Sequence, residues 1–222
     1  MSASNGGPVT VAVTGPLACG KSTFVRMLGE LGAETVSADE LVHDLLSGDV
    51  ETVEAVAARF GDGVRGDTGK AGGTGIDRPA LSESVFGDPA ALADLEGILH
   101  PRVRAETGRR AELSEAPVFV SEVPLLFEGG STGAFDLTVA VRTPDERRRA
   151  WALERGMDES RREAIERRQL TSEEKAARAD LTVENDGDLD TLRDEARRLM
   201  DRLTSERRGN GPQSGEGKGY EG

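Results

Sequence analysis

The 222 residues carry 41 acidic against 28 basic side chains, a formal charge of −13. Such a surface repels nucleic acid and anionic membranes unless basic groups gather locally, so neither is an expected partner. One cysteine excludes an intramolecular disulfide, and no apolar run reaches membrane-spanning length; a cytoplasmic chain, a monomer or weak homo-oligomer, is expected.

The opening MSASNGGP has no signal-peptide core. Residues 9–15, VTVAVTG, read as a short strand ending in glycine. Residues 21–32 place Phe24, Met27, Leu28 and Leu31 at helical spacing before Gly32. A second strand is expected over 34–39 and two helices over 40–48 and 49–61. The Gly-rich, charged stretch 62–77 reads as a loop. Asp77 and Asp88, each shortly before a proline, are expected helix N-caps, the second opening a long helical stretch that His100-Pro101 interrupts. Strands follow over 116–124 and 136–142. Thr143-Pro144-Asp145-Glu146 has the pattern of a capping box, and Arg-rich helices run to about 178. A fifth strand over 180–185 and an amphipathic helix over 188–203 close the pattern. The tail 205–222, Gly/Ser-rich and charged, is expected to be disordered. Strands separated by helices predict an α/β fold with a five-stranded parallel sheet, which binds ligands at the carboxyl ends of its strands.

GPLACGKST (15–23) fits the phosphate-loop frame G-x-x-x-x-G-K-[ST] between a strand and a helix. The loop residues Pro16, Leu17, Ala18, Cys19, Gly20, Lys21, Ser22 and Thr23 are expected to cradle the phosphates of ATP, chiefly through backbone N–H groups. Lys21 would reach the β- and γ-phosphates and Ser22 would join the shell of a Mg²⁺ ion. Two positions are unusual. Pro16 lacks an N–H, but the main donors lie later, from Ala18 to Thr23. Ala18 stands where glycine is more usual, and a left-handed backbone there carries a cost of about 1–2 kcal/mol. Cys19 reads as a small loop residue, with a redox role as the alternative.

Asp39, at the expected end of the second strand, is placed either to accept the proton of an attacking hydroxyl or to cap the helix that follows. Glu122 ends the third strand and would hold a water of the Mg²⁺ shell, or is a merely exposed acid. His100 and Arg104 lie at the expected helix break; Arg104 suits a phosphate-bearing ligand, and His100 is either a ligand contact or a structural hydrogen-bonder.

Five stretches, VAVTGPLACGKST, VSADELVHDLL, LEGILHPRVRAE, EVPLLFEGG and EEKAARADLTVENDG, in this order over residues 9–200, resemble the dephospho-coenzyme A kinase family. The resemblance implies a P-loop NTPase fold of the nucleoside-monophosphate-kinase type, with three layers. It implies one kinase domain over 8–204, with a helical acceptor-binding insertion at about 40–115 and a lid at about 144–178. The implied reaction moves the ATP γ-phosphate to the 3′-hydroxyl of dephospho-CoA, with Mg²⁺. Carried onto this sequence, it makes Asp39 the base and Arg155 the lid arginine at the transferring phosphate. Pro124, Leu125, Leu126, Phe127 and Glu128 would line the acceptor site, and Asn185 and Gly187 would border the adenine. The chain departs from the family at Ser37, where Asp is usual, at Glu122, where Asp is frequent, and in a spacing from Arg155 to Gln169 one residue shorter. A kinase of another nucleoside or nucleotide shares the fold and the loop but has no need of HPRVR and PLLFE in this order. A guanine-nucleotide switch is disfavoured because no Asn-Lys-x-Asp stretch is present.

Overall fold

The computed structural model describes residues 7–67 and 74–209; of the tail expected to be disordered, residues 205–209 instead continue the last helix, and 210–222 lie outside the described residues. Five strands form one parallel sheet: β1 (Val9–Thr14), β2 (Glu34–Ser37), β5 (Val118–Glu122), β6 (Leu137–Arg142) and β7 (Leu181–Glu184). Their order is β2-β5-β1-β6-β7. β1 pairs with β5 (Val11 opposite Val120) and with β6 (Val13 opposite Val139), so the glycine that ends β1 opens at the centre of the carboxyl edge.

Alternation along the central strands sends side chains to two different layers. On one face Val11, Val13, Val118, Val120, Val139 and Val141 pack against Phe24, Met27 and Leu28 of α1 (Lys21–Glu30). Leu192, Ala196, Leu199, Met200 and Leu203 of α9 (Leu189–Gly209) complete that layer. On the other face Val36 and Phe119 meet Leu41 of α2 (Ala38–Gly48) and Val103 and Ala111 of α5 (Pro89–Leu113). Three layers result.

Between β2 and β5 the chain builds a second, smaller core. Leu46 of α2, Val53 and Val56 of α3 (Val50–Phe60), Leu81 of α4 (Arg78–Val85) and Leu95 and Leu99 of α5 bury together. Val64 and Ile76 join them, and this explains a correction. The stretch expected to be a plain loop contains the antiparallel strands β3 (Arg65–Asp67) and β4 (Thr74–Ile76). Its glycines conceal the hairpin locally, whereas burial of Val64 and Ile76 fixes it from outside. Asp77 and Asp88 cap α4 and α5 as expected, accepting from Ala80 N–H and from Ala90 and Ala91 N–H.

The break expected at His100-Pro101 does not occur: α5 is one helix of 25 residues with Pro101 inside it. An interior proline costs about 3 kcal/mol. Leu95 and Leu99 on one side of it enter the small core, while Val103 and Ala111 on the other enter the sheet core. Burial on both sides outweighs the lost N–H. No helix among the described residues is long and apolar enough to cross a membrane.

Candidate active site

The turn after β1 is built for an anion. Gly20 stands left-handed at φ 89 immediately before α1, and a Cβ there would lie 2.3 Å from Asn185 Nδ2. Ala18 is left-handed too, at φ 58, the one non-glycine with positive φ among the described residues. With these two turns in place, the N–H groups of Ala18, Cys19, Gly20, Lys21, Ser22 and Thr23 donate to no protein acceptor among the described residues. They surround the N-terminus of α1, whose dipole also favours negative charge.

Lys21 is 7% exposed, and its Nζ donates to the Pro16 carbonyl at 2.8 Å and lies 3.8 Å from Cys19 Sγ. Pro16 thus contributes an acceptor for the loop lysine although it lacks a donor. Burial pushes the Cys19 thiol above its ordinary value, with Lys21 opposing, so Cys19 is a packed thiol rather than an exposed thiolate. Ser22 Oγ donates to Glu122 Oε1 at 2.9 Å, joining the start of α1 to the end of β5.

Thr143 does not cap the following helix, α6 (Asp145–Glu154), which begins after Pro144 without a side-chain cap. Its hydroxyl donates instead to the Cys19 carbonyl at 2.8 Å, which also accepts Asn185 Nδ2 at 3.0 Å. A loop carbonyl 124 residues away in sequence wins over the local capping bond. The true capping box is Thr171 with Glu174, at the start of α8 (Ser172–Arg178).

Beside the loop lies a cavity of about 480 Å³. Lys21, Ser22, Asp39 and Glu122 form one wall; His100, Val103, Arg104 and Thr107 enter from α5; Pro124 and Leu125 close another side. Arg155 and Gln169 reach it from the Arg-rich segment. Asp39 is neither at a strand end nor an N-cap: it occupies the first turn of α2, after Ser37, whose side chain makes no capping bond. Ser37 pairs in register with Glu122, so the start of α2 stands at the same sheet edge as Glu122. The Asp39 carboxylate is exposed and has no partner among the described residues.

Three residues of PLLFE are not brought to this cavity. Leu126 is fully buried, and Phe127 does not line the space. Glu128 accepts from Leu170 N–H at 2.7 Å and pairs with Lys175 Nζ at 2.8 Å. Lys175, fully buried, also donates to the Pro124 carbonyl at 2.7 Å; burial lowers its pKa and Glu128 partly restores it. This strut fixes Pro124 from behind, and sequence reasoning missed it.

A second cavity, on the other side of the loop, is lined by Gly20, Thr23, Arg147, Trp151, Arg155, Asn185, Gly187 and Leu189. The Arg147 guanidinium lies 5.3 Å from the Trp151 ring centroid. Asn185 is buried and its amide braces the loop, while Gly187 stands beside Thr191 at the start of α9. Arg155 lines both cavities, and its guanidinium has no hydrogen-bond or ion-pair partner among the described residues. Two contributors had no assigned role from sequence: Gln169 Oε1 accepts from Leu17 N–H at 3.0 Å, and Arg148 Nη1 donates to the Leu17 carbonyl at 3.1 Å.

A sequence model described as dephospho-CoA kinase matches residues 9–191. The chain is 36% identical over 184 residues to the dephospho-CoA kinase of Frankia casuarinae, covering 82% of this chain and 78% of the relative. It is 37% identical over 199 residues to that of Protochlamydia amoebophila, covering 87% and 95%. A solved structure from Thermus thermophilus superposes with a TM-score of 0.74 at 33% identity, covering 89% of this chain and 99% of that one. Dephospho-CoA kinase from Campylobacter jejuni gives 0.59 at 25% identity, covering 88% and 97%. Shikimate kinase from Acinetobacter baumannii, at 0.51 and 14% identity over 90% and 95% of the two chains, shares the fold alone.

Proposed function

The chain belongs to the dephospho-CoA kinase family, and from that membership we propose how its own residues divide the transfer of the ATP γ-phosphate to the 3′-hydroxyl of dephospho-CoA. The enzyme is an ATP-dependent kinase. The unpartnered N–H groups of residues 18–23 hold the phosphates, and Lys21 leaves the Pro16 carbonyl to follow the β–γ bridge as charge develops there. The base of ATP takes the cavity of Trp151, Asn185 and Gly187, and dephospho-CoA takes that of His100, Arg104, Pro124 and Leu125.

Asp39 accepts the proton of the attacking hydroxyl as its oxygen bonds to the γ-phosphorus. The bond from that phosphorus to the β–γ bridging oxygen breaks, and ADP departs with the electron pair. Arg155, free of other partners, neutralises the group in flight. Its place in both cavities is the observation that carries this division of roles.

Ser22 and Glu122 fit Mg²⁺: a hydroxyl and one carboxylate, 2.9 Å apart, suit an ion that keeps waters and takes phosphate oxygens. No group of three or more His, Cys, Asp or Glu able to hold a metal occurs among the described residues. Bound there, Mg²⁺ would supply charge neutralisation at the β- and γ-phosphates.

The test is a panel assay with ATP and dephospho-CoA, adenosine or a nucleoside monophosphate as acceptor. CoA and ADP are expected only with dephospho-CoA. Phosphorylation of a nucleoside in preference would overturn the acceptor assignment.

A further inference from the structure

Ala18 occupies a left-handed backbone that glycine adopts freely and an L side chain does not. Strain of this kind persists when the surroundings over-determine it, and both neighbours of Ala18 are gripped. On one side the Cys19 carbonyl accepts from Thr143 and Asn185. On the other, Leu17 is held at both of its polar groups by the Arg-rich segment: its N–H by Gln169 and its carbonyl by Arg148.

The Arg148 grip is itself braced. Its guanidinium donates to Glu166 at 2.8 Å and to Asp145 at 2.5 Å, and Glu166 is held in turn by Arg162 at 2.5 Å. Arg148 and Arg162 are each only 9% exposed. These ions form a preorganised buttress whose one contact with the phosphate loop in this set is Leu17.

We propose that Gln169 and Arg148 are positioning residues for the nucleotide. By clamping Leu17 they hold Ala18 left-handed, and so keep the N–H groups of residues 18–20 turned toward phosphate. The proposal rests on the phosphate-loop reading above. It assigns to the segment after β6 a part in ATP affinity that is needed because the loop carries alanine, not glycine. Neither residue touches phosphate in this role; they act through Leu17.

A double-variant cycle on the full chain tests this, using calorimetric titration with ADP so that the acceptor plays no part. Gln169→Ala should weaken ADP binding about tenfold, the scale of the left-handed alanine penalty. Ala18→Gly alone supplies the reference corner of the cycle, and within that background Gln169→Ala should cost less than about threefold. The pair Gln169→Ala with Ala18→Gly should return to within about threefold of the parent, since glycine needs no clamp.

Gln169 also lines the acceptor cavity, so the KM for dephospho-CoA is measured alongside. A raised acceptor KM with unchanged ADP affinity overturns the proposal, as does failure of Ala18→Gly to restore binding. If Gln169→Ala melts the protein, Arg148→Lys keeps a charge for Glu166 while losing the fork that reaches Leu17, and the same rescue by Ala18→Gly is required. CoA formation by the parent enzyme is scored separately; its absence would count against the acceptor assignment and not against the clamp.

Discussion

Asp39 stands in the first turn of α2 with nothing bound to its carboxylate, an arrangement suited to receiving a proton and poorly suited to holding a helix together. Asp39→Asn removes the proton sink while keeping size and polarity. The expected result is a kcat lower by about 10²–10⁴-fold at saturating ATP and dephospho-CoA. Stability should change by less than about 1 kcal/mol, the scale of a first-turn carboxylate in the helix dipole. A kcat within a few-fold of the parent would remove Asp39 from the chemistry and leave Glu122 to be tested.

At the scale of elements, α5 joins the small core to the sheet and brings His100 and Arg104 to the first cavity. Pro101→Ala should restore a donor to the Gly97 carbonyl. The interior-proline cost of about 3 kcal/mol is partly offset by the greater freedom of the unfolded chain, so a net gain of about 1–2 kcal/mol is expected as a higher Tm. A lower Tm would mean that packing of the proline ring outweighs the missing bond. Further along the same helix Glu106 accepts from Arg109 and then Arg110, which hold its carboxyl down at about 2 against an ordinary 4.5. Arg110 also bonds Asp44 of α2, so the cluster links α5 to the element that carries Asp39. A carboxyl with a depressed folded pKa stabilises fully above about 4.5 and loses that contribution as the pH falls toward about 2. Arg109 is largely exposed, and screening reduces the effect to about 1 kcal/mol. Urea titrations of Glu106→Gln should therefore show a deficit of that size at pH 7 that closes between the two pH values. A deficit that stays constant through that range would assign the loss to packing and not to charge.

For the whole molecule, Arg155 is the residue of the Arg-rich segment that lines both cavities. Arg155→Ala should lower kcat by about 10²-fold or more, as expected for a guanidinium acting on a transferring phosphoryl group. Both KM values should change little, and Tm should hold because the side chain has no protein partner to lose among the described residues. A rise in the KM for ATP with unchanged kcat would instead make Arg155 a nucleotide-binding residue. The net charge of −13 bears on the same region: in an acidic protein, Lys21, Arg104 and Arg155 gather positive charge along the first cavity.

The sequence by itself determined whatever depends on neighbours along the chain. GPLACGKST between a strand and a helix declared the phosphate loop, and the ordered motifs declared the family. Asp77 and Asp88 announced their own helices, because an N-cap bonds an N–H two or three residues away. Strands separated by helices predicted a parallel sheet. Tertiary structure alone decided the features whose partners are remote. Thr143 reads as a cap until the Cys19 carbonyl claims its hydroxyl. The paired strands at 65–67 and 74–76 are hidden by neighbouring glycines until Val64 and Ile76 find the small core. Glu128 reads as a wall of the acceptor site until the buried Lys175 takes it. Pro101 reads as a helix stop until cores on either side hold α5 straight through it. Gln169 shows no local pattern at all, since its partner is one N–H at Leu17, 152 residues earlier. For Thr143 and Pro101 a short-range preference of about 1–3 kcal/mol met burial or a hydrogen bond that exists only once the chain has folded.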